Sequence, residues 1–276
     1  MESPRPSECG SMVSAQDLRI TCITPDMPWP TDRWVGHDGP VTVDERIQWT
    51  KDVSAASWIG PRLHPFNQDT GSVVPEGFEA YCRVFHPDGP IYPDGSFRSW
   101  AEIARNNERI AHPNMQFHMI NRPKGSPVPD PLGEGSGPAE GCLLPRERQR
   151  LLELLRPETE TPDRCWFCIW EGYGHIEVPW PMVRLPARNY GLYSGPIDLA
   201  MAPLDVPWDT QSPNLWWPDD HAWIVATEID YAWSYVGGTH HLIDSVVSDD
   251  LLEAMPVHLD DSPFWTGDTV NVDVEN

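Results

Sequence analysis

Apolar and polar positions alternate most clearly over residues 78–85, where Phe78, Ala80, Cys82 and Val84 share one face and Tyr81 and Phe85 lie on the other. With apolar side chains on both faces, this segment predicts a strand covered on both sides, bracketed by Pro75, Pro87 and Gly89. Residues 222–229 give the strongest strand signal in the chain, 165–170 form an aromatic strand, and 252–259 fit a closing strand. Residues 190–199 predict a strand pair broken at Gly195 and Pro196.

Helical signals are fewer. Ser99 followed by Glu102 is a capping-box spacing, opening a helix to about Ile110 with Trp100, Ile103 and Ala104 as its buried stripe. Pro145 stands at a first helical position before Leu151, Leu152, Leu154 and Leu155. Residues 239–247 fit a third helix, and 42–58 a fourth carrying Ile47, Trp49 and Val53. The fold class expected is α+β: an antiparallel-rich sheet, a few short helices and an irregular N-terminal leader. We expect the leader over 1–40, one domain over 41–262 and an acidic, fraying tail over 263–276. Ten of the 19 residues from 123 to 141 are Pro or Gly, which makes that stretch an internal loop.

Charge changes this picture at one end. The chain of 276 residues carries 19 Lys+Arg and 42 Asp+Glu, a formal net charge of −23. Beyond Arg188 there are 16 acidic residues and no basic one, so the C-terminal 88 residues hold −16 of that total. Such a balance opposes binding to nucleic acid or to an anionic membrane surface, since both need a basic footprint. It favours a basic protein partner steered by long-range attraction. Six scattered cysteines and a first segment with no apolar core imply reduced thiols, no secretory signal and a cytoplasmic location.

Fourteen tryptophans are most simply core, although exposed ones would stack on sugars or anchor a partner. Cys165 and Cys168 have zinc-ligand spacing, but no second pair accompanies them, and on a strand they point to opposite faces. Asp219, His221, Glu228 and His240 mix imidazole and carboxylate in the way a divalent metal or a general base requires, and would suit a metal-assisted hydrolase. His112 and His118 form a nonspecific pair. No nucleophile elbow, P-loop or dinucleotide fingerprint occurs.

The blocks at 75–87, at 165–174 and at 217–230 with 235–238 resemble a group of uncharacterised proteins from high-GC actinobacteria. The resemblance implies an intracellular bacterial protein with one integrated fold, and it implies no activity. The leading expectation is therefore a non-enzymatic protein-binding (inhibitor or immunity-type) protein. Its docking residues would be Asp219, Asp220, Trp216 and Trp217, with no cofactor.

Overall fold

Alternation becomes architecture in a computed structural model that describes residues 45–91, 96–126, 137–173, 176–186, 188–202, 205–206 and 209–273. The expected leader lies outside the described residues, as does the middle of the 123–141 loop. The strands are β1 (Gln48–Trp49), β2 (Ala80–Phe85), β3 (Asp88–Ile91), β4 (Ser96–Arg98), β5 (Cys165–Trp170), β6 (Val183–Arg184) and β7 (Asn189–Gly195). There follow β8 (Asp205–Val206), β9 (Asp209–Thr210), β10 (Leu215–Pro218), β11 (Ile224–Ala226), β12 (Trp233–Gly238) and β13 (Ala254–Val257). The helices are α1 (Trp100–Asn106), α2 (Phe117–Ile120), α3 (Pro145–Leu155) and α4 (His240–Val247).

Among the described residues nine strands form one sheet in the order β1-β7-β5-β10-β11-β12-β2-β13, with β6 also on β7. Every pairing is antiparallel. The molecule is α+β, as its sequence implies. Each face of the sheet buries its own apolar layer. On one side Cys82, Val84, Trp216, Val225 and Val236 meet Leu151, Leu152 and Leu155 of α3 and Leu242, Ile243 and Val246 of α4. On the other, Tyr81, Phe85, Trp217, Ile224 and Tyr235 meet Trp100, Ile103 and Ala104 of α1 and Ile120 of α2. Phe78 precedes β2 and packs with this second layer rather than beside Cys82. No helix among the described residues is long and apolar enough to cross a membrane.

Local signals placed the helix starts well. The Ser99 hydroxyl accepts the Glu102 N–H, the Thr239 hydroxyl accepts the Leu242 N–H, and Pro145 opens α3. The first two N–H groups of α1 find a partner no local motif could supply. Both Trp100 N and Ala101 N donate to the Glu253 carboxylate, each at 2.6 Å. Glu253→Ala removes that acceptor and its charge from a helix N-terminus; we expect a loss of about 1–2 kcal/mol in urea unfolding.

Four expectations need correction. Residues 45–58 form no α-helix: Gln48 and Trp49 pair with Ser194 and Tyr193 as an edge strand, and a 3-10 turn over Ser54–Ala56 follows. The proposed strand pair at 190–199 is one strand ending at Gly195; Pro196 turns the chain into a 3-10 segment, Ile197–Met201. The 222–229 strand shrinks to three residues. The tail does not fray over its described part, because Asp268 and Asn271 are buried and Asp273 bridges Arg109 and Arg122.

Candidate functional site

The sheet's antiparallel order brings the starts of β7, β10 and β12 and the end of β11 to one edge. There a cleft of about 150 Å³ opens between that edge and the 63–73 segment. Its charged residues are Arg188, Glu228 and Asp230, and its aromatic rings are Phe66, Tyr190, Tyr231 and Phe264. Arg188 Nη2 donates to Glu228 Oε1 at 2.7 Å and to Asp230 Oδ2 at 3.0 Å, while its guanidinium lies 5.5 Å from the Trp170 ring centre. The Glu228 side chain is 14% exposed and that of Asp230 is 70% exposed. One guanidinium therefore faces two carboxylates, one recessed and one at the mouth.

Burial pushes the Glu228 carboxyl above the usual carboxylate range, and the Arg188 guanidinium pulls the other way without cancelling it. Burial likewise raises the Tyr190 hydroxyl well above its ordinary value. The outer wall is fixed from behind. Thr70 N donates to Asp261 O, Gly71 N to Leu259 O, and the Thr70 hydroxyl to the Tyr235 oxygen. Phe66, half exposed, stands on this wall.

The residues singled out in the sequence do not assemble there. Trp216 and Trp217 belong to a central strand covered on both faces, with 1% and 0% exposure. Neither ring can reach a partner or a sugar. Asp219 and Asp220 do lie at the surface end of β10, but their carboxylates are engaged. Asp219 binds Arg164 and accepts Trp166 Nε1 at 3.0 Å, which lowers its pKa. Asp220 accepts the Thr159 hydroxyl and Glu160 N, both at 2.8 Å.

The metal set falls apart for a topological reason. Asp219 and His221 sit in the β10–β11 turn and His240 follows β12 at the same end, whereas Glu228 lies beyond the opposite end of β11. His221, at φ 56°, stacks on Trp58 with ring centres 4.5 Å apart. Cys165 and Cys168 are buried in opposite layers, and burial pushes the Cys165 thiol up to about 12. These thiols and Cys82 are free.

No protein-family model, no curated protein and no solved structure matches the chain.

Proposed function

We propose that the protein binds a basic protein partner, and that the cleft receives one Lys or Arg side chain of that partner. The observation that carries this reading is the Asp230 carboxylate. It stands 70% exposed at the mouth of a ring-lined cleft, sharing with Glu228 the single Arg188 guanidinium. Aromatic faces attract a cation and also cover its aliphatic stem, and the carboxylate supplies a charged acceptor. A cleft of about 150 Å³ suits one side chain rather than a large metabolite, whose pockets run to roughly 300–1,000 Å³. The excess of acid beyond Arg188 steers such a partner over a longer range.

The test uses fluorescence anisotropy with three labelled 12-residue peptides, rich in arginine, lysine or glutamate, in low and high salt. A basic peptide should bind and weaken as salt screens the field. Asp230→Asn, at an exposed position, should weaken it about tenfold, the scale of one charged hydrogen bond. Asp219→Asn with Asp220→Asn should act less, because both groups already serve the segment at 159–164. Equal binding by the glutamate peptide, or an Asp230→Asn protein that binds like its parent, would overturn the proposal.

A further inference from the structure

Behind the cleft wall lies a group of side chains outside the partner site. Among the described residues, one set of His, Cys, Asp and Glu brings three ligand atoms within 4.8 Å of one another: His64, Asp69 and Asp260. His64 and Asp69 share a loop, with Nδ1 2.9 Å from each carboxylate oxygen. Asp260 comes from nearly 200 residues later in the chain. Its position is set by main-chain bonds on both sides, Gly71 N to Leu259 O at 2.9 Å and Thr70 N to Asp261 O at 2.9 Å.

We infer that His64, Asp69 and Asp260 form a binding site for a first-row divalent transition metal such as Zn²⁺. Three features carry this. The donors are one imidazole and two carboxylates, a set that selects such ions over Ca²⁺ or Mg²⁺, whose shells are all oxygen. The spacing fits, since the three ligand atoms already lie within 4.8 Å of one another, so that one ion can replace the proton shared by His64 and Asp69 with little movement of the chain. Finally, one carboxylate is uncommitted: Asp69 is buried and pairs with His64, whereas Asp260 is exposed and makes no hydrogen bond or ion pair among the described residues.

The local backbone is shaped around the imidazole. A Cβ at residue 71 would lie 2.5 Å from His64 Nδ1, so Gly71 leaves room for the ring that a side chain would fill. A metal here binds Nδ1 of the neutral ring and joins the 63–73 segment to the 258–261 segment. The 63–73 segment lines the cleft and the 258–261 segment holds it through the main chain, so the ion is a brace rather than a reagent. Water completes its shell on the exposed Asp260 side.

Isothermal titration of the chelator-treated full-length protein with Zn²⁺ tests this. One equivalent should bind, with affinity reduced at least tenfold in Asp260→Asn and lost in His64→Gln. His240→Gln, at a surface imidazole elsewhere, should bind like the parent. Asp260 is exposed, so its variant keeps the fold and the test stands even if His64→Gln does not fold. The absence of a titratable site at millimolar Zn²⁺, or an Asp260→Asn protein with parental affinity, would overturn the assignment. Neither outcome depends on the peptide measurement.

Discussion

Trp217→Ala is expected to cost about 3–5 kcal/mol in urea unfolding, a large share of the 5–15 kcal/mol that holds a typical domain. Trp217 is fully buried on β10, opposite Trp166 of β5, and meets Trp58 edge-to-face with ring centres 6.0 Å apart. Truncation leaves a void that a central strand, hydrogen-bonded on both sides, cannot close. Trp217→Phe should cost far less, because the indole Nε1 has no hydrogen-bond partner among the described residues to lose. Trp180→Ala offers the contrast, since that ring is 64% exposed with Arg184 against it, and the change should stay within about 0.5 kcal/mol. A Trp217→Ala protein of parental stability would mean the second apolar layer is not packed as described.

The same residue shows where sequence reading works. Strand β2, the caps at Ser99 and Thr239 and the proline start of α3 were legible because each depends on neighbours within four residues. The edge strand at Gln48 and Trp49 was not, because its partner on β7 lies some 145 residues away and its apolar spacing also suits a helix. Adjacent Trp216 and Trp217 point to opposite faces, so one should be exposed on a half-covered sheet. Both are buried only because helices cover each side, a fact of packing that period-two patterning does not contain. The cleft was half legible. Glu228 stood out as a carboxylate, but Arg188 drew notice only as the last basic residue. Its pairing with Glu228 and Asp230 requires β5 and β10 to lie between β7 and β11. His64, Asp69 and Asp260 were not singled out: the first two stand five residues apart, but Asp260 joins them only through the fold.

Lowering the pH from about 6.5 to 4 should remove roughly 3 kcal/mol of stability through His86 alone. His86 is fully buried, with Nδ1 2.6 Å from the Ala139 carbonyl oxygen and Nε2 3.0 Å from the Ser234 hydroxyl, which lies 2.6 Å from the Thr227 hydroxyl. A carbonyl can only accept, so Nδ1 carries the proton. Nε2 of the neutral ring then accepts from Ser234, and Ser234 accepts from Thr227. Burial, with the nearby Arg83 charge, pulls the His86 pKa from 6.5 down to about 4. Because the folded value is the lower one, the unfolded chain binds the extra proton first, and stability falls as pH drops through this window. Below about 4 both states are protonated and this loss levels off.

Asp268 acts in a separate, lower window. Although burial raises its pKa, bonds from His112 and Asn271 outweigh that and hold it at about 2, so its contribution is present above about 4 and fades toward 2. His86→Asn keeps a donor and an acceptor but cannot titrate. Urea unfolding of this variant at pH 7, 5.5 and 4.5 should therefore give a shallower slope than the parent, from a lower starting stability, with the remainder left to His118 and His221, whose pKa values burial also lowers. A parental slope in the variant would assign the upper window to another group. A flat parent would mean that the buried chain from Ala139 to Thr227 accommodates the charged ring, against the desolvation that an enclosed imidazolium must suffer.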